Sequence, residues 1–174
     1  MNRMSGSKDM KKELRRRESV LHTTGLGVIA FGLWTFLKGN MYFLLGGNRY
    51  ADIAGIDPDI DPRLVLVIFY CVLLLVTALI LLIHIGIGKG AISDARGVCV
   101  RGGYIRAAFV MILVYAGFVA ADISVVGDRA EYLADEIVST VVDLTIAVLM
   151  TDLFLSAIRV RKLRRTLPKE AGEE

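Results

Sequence analysis

Four ionisable residues interrupt otherwise apolar stretches of this chain: Lys38, Asp122, Asp143 and Asp152. In hydrocarbon a charge is costly unless it pairs, faces a helix interior or lines a wet path, so these are the first places to look for chemistry. With a helical rise of ~1.5 Å per residue, Lys38, Asp122 and Asp143 fall at one depth and make a layer of one cation and two anions. Two chemistries suit such a layer. Lys38 competes with a transported cation or proton for the carboxylates, or it forms an ion pair that fixes helix register while the second Asp is protonated or hydrated. The second is the expectation, because intramembrane charge alone does not establish transport.

Asp152 stands apart from that layer. It follows Asp143 by nine residues, and steps of about 100° place it half a turn away on the helix. Asp143 shares its face with Thr140, Ala147 and Thr151, whereas Asp152 shares its face with Thr145 and Ser156. Lipid is the costly neighbour for a short carboxylate, so Asp152 and Ser156 are expected to form a partner surface or the wall of a water-filled inlet.

Other constellations carry less. His22 and His84 lie near the same ends of successive apolar stretches, but with no third histidine a haem pair is not expected, and no cofactor is. Asp57, Asp59 and Asp61 mimic the start of a calcium loop, yet Pro62 and Ile68 occupy the places of its glycine and its bidentate glutamate. Asp61 before Pro62 reads better as an N-cap that starts a helix. The GIGKG run at 86–90 lacks the GxxxxGK[ST] spacing of a phosphate loop. Cys71 and Cys99 sit at different depths and do not suggest a disulfide. With no nucleophile beside a base, no metal-ligand cluster and no cofactor fingerprint, the chain is not expected to be an enzyme.

The elements that must position these residues are four apolar runs at 20–45, 64–87, 105–126 and 137–158, each near the ~20 residues that cross a bilayer. Residues before 20, the segment at 86–106 and the C-terminal tail together carry 17 Lys and Arg against 7 Asp and Glu; the two other connections carry 3 against 8. The positive-inside rule then predicts an all-α, antiparallel four-helix bundle in the cytoplasmic membrane, with both termini in the cytoplasm. All 174 residues form one membrane domain, and the net charge of +3 says nothing about nucleic acid.

At the predicted cytoplasmic face, 7–19 reads as a basic helix entering the first span, and 159–167 as a basic extension of the fourth, stopped by Pro168. Arg15, Arg16, Arg17, Arg161, Lys162, Arg164 and Arg165 are the expected contacts to anionic lipid headgroups. The 86–103 segment, with six glycines, reads as a flexible connector on the membrane surface. Gly127, then Asp128 with Glu131, reads as the turn into the fourth helix. Gly25, Gly32 and Gly39 on the first span, and Gly117, Ala121 and Ser124 beside Ala116 and Ala120 on the third, are small-residue stripes expected to face helix partners. The second span, rich in Leu, Val and Ile, should be the most lipid-exposed. The functional expectation is a non-catalytic membrane subunit or scaffold, associating with itself or a membrane partner protein; the alternative is a small ion- or proton-coupled transporter.

Overall fold

The computed structural model describes the backbone of residues 2–53, 61–98, 102–126 and 133–166, and within these the side chains of 9–41, 43–44, 61, 63–98, 102–121 and 140–166. The chain is all-α in these regions, with helices α1 (Asn2–Ile53), α2 (Pro62–Ala95), α3 (Gly103–Val126) and α4 (Leu133–Thr166). All four are long and apolar enough to cross a membrane, over Asp9–Met41, Arg63–Ala95, Gly103–Ala121 and Thr140–Thr166. Only 6% of the most apolar α2 segment is buried, against 22–28% in the other three, which makes α2 the helix with the widest outward apolar surface. Leu64, Val67, Ile68, Val72, Leu75, Leu79 and Leu82 are all exposed on it. A helix solvated by hydrocarbon tolerates this because its backbone groups are satisfied internally.

Local chemistry sets the helix ends. Asp61 caps α2: its carboxylate accepts from the Arg63 amide at 3.0 Å, and its carbonyl accepts from the amides of Leu64 and Val65. At the other end the helix runs through Ala95, so the first half of the 86–103 segment is not the flexible connector expected from its glycines. Gly88 and Gly90 are admitted by the helix because neighbours press against its backbone there. The Val98 amide then bonds the Ser93 carbonyl and the Gly97 amide the Asp94 carbonyl, both at 3.1 Å. This is a Schellman stop, and Gly97, at φ 79°, supplies its left-handed residue. The expectations for Asp57, Asp59 and Cys99, and for the turn at Gly127, Asp128 and Glu131, lie outside the described residues.

The chain divides into two compact units, Ile29–Ile85 and Met1–Val28 with Gly86–Glu174. In the first, α1 and α2 run antiparallel through a seam of small residues. A Cβ on Gly32 would stand 2.5 Å from that of His84, and one on Gly39 would meet Thr77 Cγ2 at 3.3 Å. The Asn40 amide donates to the Phe36 carbonyl at 2.7 Å and reaches the Thr77 hydroxyl at 3.5 Å. Phe43 stacks on Tyr70, with ring centroids 5.0 Å apart. In the second unit the same spacing recurs: Gly25 faces the Gly88 carbonyl at 3.0 Å and Ala91 Cβ at 3.2 Å. The glycine period of seven on α1 is thus met by Thr77, His84 and Ala91, also seven apart, on α2.

The α3 stripe behaves differently. Ala116, Gly117, Ala120 and Ala121 are exposed, and a Cβ on Gly117 would meet nothing within 4 Å. The expectation that this stripe packs against a helix of the same chain is overturned for these four residues. The inward face of α3 is instead Tyr104, Ala108, Met111 and Tyr115, opposite Ile146, Met150, Leu153, Ala157 and Val160 of α4.

Candidate functional site

The best-organised polar cluster lies at the basic end of the Met1–Val28 and Gly86–Glu174 unit and centres on Asp94. The Schellman stop leaves Asp94 in the last turn of α2, where the helix dipole disfavours an anion. Its side chain is nonetheless only 6% exposed. Three donors compensate: Tyr104 Oη at 2.5 Å and Arg161 Nε at 2.9 Å on Oδ2, and Arg164 Nη1 at 3.1 Å on Oδ1. Arg164 also donates to the Asp94 carbonyl at 2.6 Å and to Glu18 Oε1 at 2.7 Å. One guanidinium therefore serves a helix C-terminus and two carboxylates from two other helices.

Each helix contributes to this clasp: Glu18 from α1, Asp94 from α2, Tyr104 from α3, and Arg161 and Arg164 from α4. The two carboxylates balance the two guanidiniums. Close backbone approach makes room for it, since a Cβ on Gly90 would lie 2.6 Å from that of Tyr104, and one on Gly102 would lie 2.9 Å from Arg161 Nη1. The Arg161 guanidinium lies 5.5 Å from the Tyr104 ring centroid, a cation–π contact that holds the phenol toward Asp94. A carboxylate saturated by donors is suited to holding helices together and poorly suited to taking or giving protons.

The sequence-predicted residues fall in several places. Lys38 is half-buried on α1 within Ile29–Ile85, Asp143 is half-buried on α4 in the other unit, and the side chain of Asp122 lies outside the described residues. Asp152 is exposed, and its Oδ2 accepts from Thr24 Oγ1 at 3.5 Å. Ser156 is 1% exposed and does not share the exposure of Asp152. Four residues turn a helix about 400°, and the residual 40° is enough to carry Ser156 inside. His84 donates through Nδ1–H to the Ile80 carbonyl, 2.8 Å away on its own helix.

The expected headgroup contacts also divide. Arg15, Arg16, Lys162 and Arg165 are exposed. Arg17 is paired with Glu13 at 2.7 Å, and Arg161 and Arg164 belong to the clasp. Sequence reasoning passed over Asp94, Glu18 and Tyr104. The available signal was that Asp94 is the one acid in a segment carrying Lys89, Arg96 and Arg101.

Among the described residues, no three His, Cys, Asp or Glu side chains converge as a metal site. Comparison with family models, with curated proteins and with solved structures yields no match to this chain.

Proposed function

We propose that this chain is a four-span protein of the cytoplasmic membrane, with both termini and the 86–103 segment in the cytoplasm. In this reading it is a non-catalytic subunit or scaffold whose basic cytoplasmic face engages anionic lipid. The observation that carries the reading is a sorting of charge. At the basic end, Glu13, Glu18 and Asp94 are each held in an ion pair within the chain. Arg15, Arg16, Lys89, Arg96, Arg106, Arg159, Lys162 and Arg165 remain exposed, leaving Asp9 as the exposed acid among the described residues of that end. Neutralising acids internally while leaving cations outside gives a surface of one sign, and such a surface is drawn to anionic headgroups by about 1 kcal/mol per cation.

Two measurements test this. On a background lacking Cys71 and Cys99, cysteines replacing Asn48 and Asp128 are expected to label from outside sealed cells, and one replacing the exposed Arg96 is not. External labelling at Arg96 defeats the orientation. Purification in mild detergent with mass analysis of what remains bound is expected to find anionic lipid or a membrane partner, and finding neither defeats the docking role.

A second reading, ion- or proton-coupled transport, is favoured by one observation, the exposed carboxylate of Asp152 within a candidate span. Asp152→Leu then abolishes pH-driven flux in liposomes without altering oligomeric state. Loss of cross-linking between copies with no flux to lose assigns Asp152 to an interface instead.

A further inference from the structure

Helices α3 and α4 share one antiparallel register, fixed by Gly102 beside Arg161 and, seven residues further along each helix, Phe109 beside Phe154 with ring centroids 5.8 Å apart. Phe109 is 49% and Ile158 44% exposed, so the outer side of this seam is an open apolar surface. Going toward the basic end, Arg106 lies one turn beyond Phe109 on α3, while Lys162 and Arg165 lie two and three turns beyond Phe154 on α4. All three cations are exposed and make no hydrogen bond or ion pair among the described residues. Their neighbours Arg161 and Arg164 are turned inward to Asp94. The register places Arg106 and Lys162 about five helical rises, ~7.5 Å, apart along the seam, within the joint reach of two long side chains.

We infer that the outer α3–α4 seam seats one anionic phospholipid, its acyl chain against Phe109, Phe154 and Ile158 and its headgroup phosphate among Arg106, Lys162 and Arg165. The inference rests on the reading of the basic face as a lipid-docking surface and localises it. Charge complementarity supplies the headgroup half of the assignment, since three unpaired cations converge where the acids have been taken up internally. The adjoining apolar surface supplies the other half, because a free anion or an acidic peptide has no use for two phenyl rings and an isoleucine. The clasp contributes indirectly: Tyr104 of α3 and Arg161 and Arg164 of α4 all donate to the one Asp94 carboxylate, which ties α3 and α4 together at this end of the seam.

The full chain is purified from vesicles of phosphatidylcholine containing phosphatidylglycerol, and retained lipid is measured by native mass spectrometry. The wild type is expected to retain phosphatidylglycerol over phosphatidylcholine. Removing cations in Arg106→Gln, Lys162→Gln and Arg165→Gln is expected to weaken retention by about fivefold each. Because these exposed side chains make no ion pair among the described residues, the helical melt should not move. Arg15→Gln with Arg16→Gln, which removes two charges off the seam, more than any single seam variant, should leave retention near the wild-type level. Phe109→Ser should weaken it without changing charge, and inorganic phosphate should not displace the lipid. If the seam and off-seam variants lose lipid equally, the basic face binds diffusely: the seam assignment is wrong and the docking reading stands. If the wild type shows no preference for phosphatidylglycerol, both fall. Displacement by phosphate, or indifference to Phe109→Ser, overturns the lipid assignment in favour of a simple anion site.

Discussion

Two regions of this molecule hold helices together by opposite means. In the Ile29–Ile85 unit, α1 and α2 meet through absence of side chain: Gly32 lies against His84, Gly39 lies against Thr77, and dispersion between close backbones does most of the holding. At the basic end, three helices meet through formal charge, with Asp94 and Glu18 balanced by Arg161 and Arg164, and α3 joins them through the Tyr104 hydroxyl. In the membrane placement proposed above, the difference follows from solvent. Where hydrocarbon surrounds the helices, ions are costly and contact is available to any residue small enough to permit it. Near the water interface desolvation costs less, and ion pairs add directionality that small residues lack. The general lesson is that one helix can be held by shape along one part of its length and by charge along another.

The comparison is broken most severely at Asp94. Asp94→Leu leaves two guanidiniums facing a void, and removing one partner of such a buried network costs about 3–5 kcal/mol. The expected outcome is that loss in a detergent-based unfolding titration; a change below about 1 kcal/mol, the range of a surface pair, would show that the clasp is decoration. Asp94→Leu combined with Arg161→Met should cost less than the sum of the two single changes, because they share one network.

A smaller effect is expected at the glycine seam. Gly32→Ala puts a methyl group 2.5 Å from His84 Cβ and forces the helices apart, at a cost of about 1–3 kcal/mol. Gly117→Ala, on the open side of α3, is the matched control and should lie within about 0.5 kcal/mol of the wild type. Equal effects at the two positions would mean that helix propensity, not contact, decides both.

The smallest effect belongs to Asn40. Its Oδ1 is buried without a partner, and its reach to Thr77 is long at 3.5 Å. Interhelical hydrogen bonds in membranes contribute about 0.6 kcal/mol on average, and Asn40→Leu also removes an unsatisfied acceptor. The expected result of the same titration is therefore a change under about 1 kcal/mol, with stabilisation an accepted sign. A loss of several kcal/mol would show that Asn40 organises the seam.

What was legible in the sequence was whatever depends on neighbours in the chain. The four apolar runs, the Asp61 cap before Pro62 and the helix-prone tails all rest on local composition. The glycine period on α1 was legible too, but not its counterpart on α2, because Thr77, His84 and Ala91 share only a spacing and a modest size. The α3 stripe shows the converse: small residues permit close packing without choosing who packs. The clasp was out of reach because Asp94 and its arginines are 67 and 70 residues apart, and nothing local to any of them marks the others. The different exposure of Asp152 and Ser156 was hidden for a finer reason, since a helical face read in steps of four drifts by 40° each time.

The clasp also sets an order on the making of the protein. Glu18 and Arg164 are separated by 146 residues, so the first charge of the network is synthesised long before the last. When α3 has emerged, Asp94 can find Tyr104, ten residues away, but neither guanidinium exists yet. Until residue 161 leaves the ribosome, α1 and α2 each carry a carboxylate with no cation from α4 to meet it. The arrival of the fourth helix completes the set in one step, so a chain cut short before Arg161 would have its first three helices present and the lock that joins them missing.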